Sequence, residues 1–181
     1  MPVMDDFKAW VRLLADPLRS KGAFWHLVLS GRAARPAATE GLADPNPDVR
    51  RQCARVLDHL ADESSFADLA GMLSDPDHQV RAAALHAVAC DRCKEGTCRP
   101  DKDMVLRPAL QLLENDPHKH VRAMAAEVVG RYVHSDLDAE AGLVRAREAD
   151  PDPSVRKKAG WYAPGGTIFN KTRPRSARQA S

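Results

Sequence analysis

Aromatic residues and long apolar runs are scarce in this chain of 181 residues. Phe, Trp and Tyr make up only 5% of it, and no apolar stretch approaches the roughly 18 residues that a membrane-spanning helix requires. The segment 1–6 has neither a basic region nor an apolar one, so no signal peptide is predicted. We therefore expect a cytoplasmic protein that does not cross a membrane and whose thiols stay reduced.

The common catalytic sequence motifs are also missing. The chain contains no G-x-S-x-G, no Walker loop, no G-x-G-x-x-G and no H-E-x-x-H. Its seven histidines are scattered, and His118 and His120 fall in one turn, where exposed side chains are usual. The acidic residues cluster in turns, where they are expected to cap helices rather than to form a facing pair. These absences favour a protein that is not an enzyme.

What the sequence does have is a repeated phrase, Asp-Pro-x-x-x-Val-Arg. It begins at Asp44, Asp75, Asp116 and Asp150, and a further Asp-Pro pair stands at Asp16. Proline disfavours helical geometry in the residue before it but suits the first turn of a helix, so Asp-Pro predicts that one helix ends and another begins. The aspartate is expected to cap the new helix. A phrase that recurs about every 30–40 residues predicts an all-α fold, an α-solenoid of about five stacked helix pairs.

Amphipathic runs stand on both sides of the Asp-Pro pairs. The run that follows carries Ala and Val at helical spacing, as at Val80, Ala84 and Ala87, and is predicted to be the second helix of a pair. The arginine of each phrase is predicted to be structural, bridging backbone carbonyls or the aspartate of the next repeat. The first helices of the pairs are predicted over residues 7–14, 33–42, 66–73, 105–113 and 143–149.

The first pair departs from the others, because Lys21 and Gly22 stand where Val-Arg is expected. Terminal repeats of a stack are atypical, since one of their sides has no neighbouring repeat to pack against. This pair is also rich in aromatic residues, which are predicted to form the core of a cap, with an exposed docking patch as the alternative: Phe7, Trp10, Phe24 and Trp25.

The repeat pattern resembles the HEAT-like repeats of bacterial proteins, in the subgroup shared with phycobilisome lyases, over about residues 5–163. This resemblance implies a binding surface, and a lyase-type accessory factor is one alternative that it leaves open. Deoxyhypusine hydroxylases of similar architecture bind iron through His-Glu pairs, and no such dipeptide occurs in this chain. Alkylpurine DNA glycosylases of this architecture use a Trp and an Asp on a basic concave face. In this chain only the Trp has a counterpart, Trp161.

A strip of mixed charge lies beside the predicted buried stripe of the second helices. Mixed charge counts against duplex DNA, which needs clustered Lys and Arg. Trp and Arg are common anchors of protein interfaces, so the leading hypothesis is a non-catalytic scaffold that binds another protein along this face. The structural alternative for Trp161 is that it packs against the tail as a cap. Alignment of the helices on their valines gives the predicted partner-binding residues: Arg51, Arg55, His86, Glu127, Lys157 and Trp161.

The C-terminal segment is basic, and the predicted domain boundary falls before it, with the solenoid over residues 1–163 and a flexible tail over 164–181. The tail holds no acidic residue, and Gly165, Gly166 and Pro174 argue against a helix. Such an arm suits RNA, DNA or an acidic protein, so a nucleic-acid- or ribosome-associated binder is the main alternative function, and a merely solubilising tail is the other possibility. Its candidate contact residues are Lys171, Arg173, Arg175 and Arg178.

An insertion over residues 90–102 makes the interval between the third and fourth repeats about ten residues longer than the interval before it. With His86 one helical turn upstream, its cysteines offer a Cys3His ligand set for a structural Zn²⁺ ion: His86, Cys90, Cys93 and Cys98. A disulfide between Cys93 and Cys98, or inert loop thiols, are the alternatives. Cys53 aligns with a stripe position and is predicted to lie in the core.

Overall fold

A computed structural model describes residues 6–89 and 100–174 of this protein. All regular structure in these two ranges is helical, with no strand, which confirms the predicted fold class. Within them no helix has the length and apolar character needed to cross a membrane. The contacts divide the chain into two compact units, residues 1–101 and 102–181. The division into a solenoid over residues 1–163 and a tail over 164–181 stays a prediction. The boundary between the two units falls at the end of the predicted insertion, whose cysteines lie outside the described residues.

The described part of unit 1, residues 6–89 and 100–101, contains three helix pairs. In each pair the first helix is short and ends in one turn of 3-10 helix, and the second helix is longer in every pair. The second helices α4 and α6 pack along each other, and leucine, valine and alanine side chains fill the space between the layers. The helices are α1 Phe7–Arg12, α2 Ser20–Leu29, α3 Arg35–Glu40, α4 Pro47–Leu60, α5 Glu63–Gly71 and α6 His78–Ala89.

Over residues 102–174, which the structure describes, unit 2 contains two helix pairs followed by one short additional helix. As in unit 1, the second helices α8 and α10 pack against each other and against the first helix of their own pair. The predicted first helices at residues 105–113 and 143–149 are confirmed, and both extend further towards the N-terminus. The helices are α7 Lys102–Asn115, α8 Lys119–Gly130, α9 Leu137–Ala149, α10 Pro153–Tyr162 and α11 Thr167–Thr172.

Helix α11 corrects the prediction that residues 164–181 contain no helix. The two glycines lie in the turn before α11 rather than within it: Gly165 has a φ of 85°, and Gly166 is the N-cap residue. The turn brings the Phe169 ring to 4.5 Å from the ring of His134. Phe169 thus packs against His134, because partly burying its ring is more favourable than leaving it in water.

Each Asp-Pro pair ends a helix as predicted, but its aspartate does not cap the next one. Asp75 has extended backbone geometry (φ −60°, ψ 141°), and its carboxylate accepts a hydrogen bond from the Asp77 N–H at 2.8 Å. The new helix begins only after this turn. Its N-cap residue therefore stands two positions after the aspartate, as Asn46 and Asp152 do with side chains that accept from a backbone N–H.

The arginine of the phrase joins consecutive repeats, which confirms its predicted structural role. Arg50 donates through Nη1 to the carbonyls of Asp44 and Pro45, at 2.9 and 3.1 Å. Its Nε and Nη2 donate to the two carboxylate oxygens of Asp75, at 2.7 and 2.9 Å. Burial opposes ionisation of Asp75, but the hydrogen bonds from Arg50 and from the Asp77 N–H outweigh it and lower the pKa of Asp75.

Unit 2 repeats this bridge. Arg122 donates to the carbonyls of Asp116 and Pro117, at 2.8 and 3.3 Å, and to both carboxylate oxygens of Asp150, at 2.8 and 3.0 Å. The side chains of Arg122 and Asp150 are only 9% and 4% exposed. A buried bidentate pair of this kind fixes the register of one repeat on the next.

Candidate functional site

The second-helix face of unit 1 is formed by α4 and α6, with α2 beside them. Arg51, a predicted contact residue, lies across the two longer helices. It donates to Asp48 on its own helix at 2.8 Å and to Gln79 on α6. These bonds hold the guanidinium in one place at the surface, so less side-chain entropy is lost when it contacts a partner.

A cluster of aromatic and cationic side chains lies where α2 meets α4. The guanidinium carbon of Arg55 is 5.2 Å from the centroid of the Phe24 ring, a cation–π contact. The ring of Trp25 packs edge-on against Phe24 and lies 6.2 Å from the ring of His59. Phe24 is buried, as the cap prediction requires, but Trp25 is 47% exposed and fits the alternative of a docking patch.

His86, also a predicted contact residue, stands beside a buried carboxylate that the sequence analysis missed. Its Nε2 is 3.4 Å from Oδ2 of Asp58, while Oδ1 of Asp58 is buried and has no hydrogen-bond partner among the described residues. Asp58 stands one helical turn after the buried Ala54, so a charged residue on the apolar stripe of α4 was the signal that could have revealed it.

Only one of the four predicted zinc ligands, His86, lies among the described residues, so zinc binding stays a prediction. His86 is half exposed beside Asp58, and a histidine that binds a metal commonly has a carboxylate at its other ring nitrogen. The other three predicted ligands, Cys90, Cys93 and Cys98, lie outside the described residues. Among the residues that are described, no group of three or more His, Cys, Asp or Glu side chains is placed to hold a metal ion.

The second-helix face of unit 2 is formed by α8 and α10. Glu127 accepts a hydrogen bond from Lys158 of α10 at 2.7 Å. Lys157 places its ammonium 5.8 Å from the centroid of the Trp161 ring, and Trp161 is 39% exposed. Burial, followed by the charge of Glu127, raises the pKa of the neighbouring Tyr162 to about 12.

The six predicted contact residues are divided between the two units. The structure places three of them on the face of unit 1 and three on the face of unit 2, and each is on a second helix as predicted. Of the four predicted tail residues, Lys171 lies in α11 and Arg173 is the C-cap residue of that helix. Arg175 and Arg178 lie outside the described residues.

Chemically, these faces offer cationic, acidic and aromatic groups. Their charged and aromatic side chains are held by neighbours on rigid helices. Cys53, predicted to be a core residue, is fully buried, and burial raises the pKa of its thiol to about 12, so the thiol is not a nucleophile at neutral pH.

Comparison with known proteins identifies the repeats. The HEAT repeat family matches residues 31–95, and no curated protein matches the sequence. A designed armadillo repeat protein in complex with the peptide (KR)4 is similar in structure, with a TM-score of 0.55 and 16% identity over 87% of this chain and 80% of that one. An engineered protein is similar with a TM-score of 0.53 and 18% identity over 86% of this chain and 77% of that one.

A natural protein complex is also similar in structure. The S. pombe condensin Cnd3-Cnd2 subcomplex has a TM-score of 0.51 and 19% identity over 88% of this chain, but this chain covers only 28% of that one. Residues 31–95 therefore match HEAT repeats, and the fold of this chain is shared with armadillo and HEAT solenoids. The phycobilisome-lyase subgroup is not indicated by these matches, and that part of the resemblance stays a prediction.

Proposed function

We propose that this protein is a non-catalytic scaffold that binds other proteins along the exposed faces of its second helices. The observation that carries the proposal is that cationic side chains on α4 and α10 are held in place by their neighbours. Arg51, Arg55 and Lys157 are each held by a neighbouring side chain, so they present charge in a defined position. Fixed cations beside partly exposed tryptophans are typical of the centres of protein interfaces.

The fold supports the same proposal. Stacked helix pairs present extended surfaces, and repeat solenoids of this kind serve mainly in protein binding. Among the similar structures, the designed armadillo repeat protein is in complex with a peptide. The mixed charge of the second-helix faces favours a protein as the partner over duplex DNA, whose phosphates need a continuous basic surface.

Affinity purification with paired charge-reversal variants tests the proposal. Tagged native protein is compared with Arg55→Glu, which alters the face of unit 1, and with Lys157→Glu, which alters the face of unit 2. The control is Asp68→Lys, an equally drastic change at an exposed position of the first helix α5. Quantitative mass spectrometry of the bound proteins is the readout, and circular dichroism verifies that each variant is folded.

We expect at least one partner to be retained by the native chain and by Asp68→Lys, and to be lost from one or both of the other variants. A partner set that is the same for all four proteins contradicts binding along the second-helix faces. Equal loss from Asp68→Lys contradicts it too, because the first helices then matter as much as the second.

A further inference from the structure

The outer side of α2 exposes apolar side chains in a row. Leu18, in the turn just before the helix, is 94% exposed, and Leu29 at its end is 83% exposed. Trp25 lies between them and is 47% exposed. Single exposed apolar residues are common on proteins, but a row of three large ones along one helix is typical of an interaction site.

Helical spacing places this row on one face. Gly22, Trp25 and Leu29 follow each other at intervals of three and four residues, and Leu18 stands one turn before Gly22. The buried residues of α2, Ala23, Phe24 and Leu27, lie on the opposite side, against α1 and α4. We name the row formed by Leu18, Gly22, Trp25 and Leu29 the α2 stripe.

Gly22 makes a notch in the middle of the α2 stripe. No atom lies within 4 Å of the position that a Cβ would take there, so the glycine is not required by crowding inside the protein. Its φ is also not in the left-handed region, so no turn requires it. A small residue between large ones leaves a depression into which a side chain of a neighbouring helix fits.

Among the described residues, the charges flanking the α2 stripe that lack an ionic partner are positive. Residues 17–39 contain no aspartate or glutamate. Lys21 and Arg32 are exposed there, and neither has an ionic partner in the part of the chain that the structure describes. Arg19, on the other flank, is bound to Asp16 at 2.6 Å. A second copy of this chain is therefore a poor occupant, because two such faces repel each other.

We propose that the α2 stripe docks an amphipathic helix of a partner protein, one whose apolar row is flanked by glutamate or aspartate. The apolar row covers Leu18, Trp25 and Leu29, the notch at Gly22 accepts one of its side chains, and acidic flanks pair with Lys21 and Arg32. A helix gains from the notch because its side chains interdigitate with it, whereas a lipid surface gains nothing from a missing side chain. The α2 stripe adjoins the face of α4 at Trp25, whose ring lies 6.2 Å from that of His59, so this inference rests on the proposed function and names one partner surface within it.

Selection from a peptide library tests the proposed chemistry. Helical peptides of about 20 residues, randomised and displayed on phage, are selected on the native protein and depleted on the double variant Leu18→Glu/Leu29→Glu. We expect enrichment of peptides with an apolar i, i+3, i+7 row and acidic flanks. If no peptide prefers the native protein, or if the enriched peptides are neutral or basic, the proposal is wrong.

Affinity measurements with the strongest selected peptide locate the site. Fluorescence anisotropy should show that Leu29→Glu weakens binding about tenfold or more, since one buried leucine contributes at least that much. Lys21→Glu should weaken it by a smaller factor and reduce its dependence on salt. Leu137→Glu is the matched control, because Leu137 in unit 2 is 84% exposed and should leave binding unchanged. A similar loss with Leu137→Glu overturns the proposal.

Two further measurements separate the rival occupants. Flotation with vesicles of phosphatidylserine and phosphatidylcholine tests a lipid surface, and sedimentation equilibrium tests a second copy. We expect the native chain neither to float with the vesicles nor to self-associate. Vesicle binding or dimer formation that Leu29→Glu abolishes assigns the α2 stripe to lipid or to self-association instead, and overturns the proposal.

Discussion

Units 1 and 2 have the same internal bridge and different exposed faces. Arg50 binds Asp75 in unit 1 as Arg122 binds Asp150 in unit 2, with the same donor atoms and nearly the same distances. On the surface, by contrast, unit 1 presents arginines and histidines around exposed apolar residues. Unit 2 presents the ion pair of Glu127 and Lys158, and Lys157 lies over the ring of Trp161.

The difference separates two kinds of position within one repeat. Residues of the Asp-Pro-x-x-x-Val-Arg phrase are constrained by carbonyls and carboxylates inside the stack, so both units use the same ones. Residues one turn further along the same helices face water, and packing does not dictate their identity. We therefore expect substitutions in the phrase to affect stability, and substitutions on the faces to affect binding.

The largest expected effect is that of Arg122→Ala. It leaves the carboxylate of Asp150 buried without its partner, so we expect a loss of about 3–5 kcal/mol in the free energy of unfolding. Arg156→Ala is the matched control, because among the described residues Arg156 donates only to the carbonyls of Asp150 and Pro151. Its loss should be about 1 kcal/mol. Urea denaturation measures both, and equal losses contradict a special role for the carboxylate bridge.

Acid should weaken the bridge of unit 1. The folded state holds the pKa of Asp75 below its unfolded value of about 3.9, so the stabilisation is complete above that pH and is lost as the pH falls through the lower folded pKa. We expect Asp75→Asn to cost about 1–3 kcal/mol at neutral pH and to flatten the dependence of stability on pH below about 4. A variant as acid-sensitive as the native chain contradicts this.

The zinc prediction extends the comparison to the segment between the units. We expect about one Zn²⁺ per chain by elemental analysis after purification without chelators. Cys93→Ser and Cys98→Ser should each lose the metal, whereas Cys53→Ala should keep it because Cys53 is fully buried in unit 1. Helicity should survive metal loss, since the stacking contacts lie elsewhere. Absence of zinc together with freely titratable loop thiols contradicts the prediction.

The smallest effect concerns the basic tail. Deleting residues 171–181 would also remove the end of α11, so the sharper change is deletion of 175–181, which removes Arg175 and Arg178. If the tail binds RNA or DNA, each lost phosphate contact should reduce the slope of log K against log salt by about 0.7–0.9. Native protein that binds neither nucleic acid at low salt refutes that role.

The fold could be predicted from the sequence because its signals are local and repeated. Each Asp-Pro pair marks a helix end, and each arginine stands at a fixed distance from the carbonyls that it binds. The cap assignment of the aspartates was wrong because two residues of turn separate Asp-Pro from the helix, and Asn46 or Asp152 performs the capping. Propensity rules place helix ends only to within a few residues.

The faces were harder to predict, because their contacts join residues far apart in the sequence. Alignment on the valines placed Arg55 and His86 correctly on second helices, but gave no sign that Asp58 would lie beside His86. Helix α11 was missed because Gly165 and Gly166 suggest an irregular tail. Its stability depends on Phe169 packing near His134, a contact across 35 residues that no local pattern reveals.

The arginine–aspartate bridge between repeats also has a consequence for how the number of repeats changes in evolution. In both described bridges, one copy of the phrase supplies the arginine and the next copy supplies the aspartate. Duplicating or deleting one whole repeat therefore conserves the balance of buried charges, whereas cutting within a repeat leaves an ion without its counterpart. The chemistry of Arg50 and Arg122 thus favours evolution in steps of entire repeats, with each new copy free to acquire its own surface.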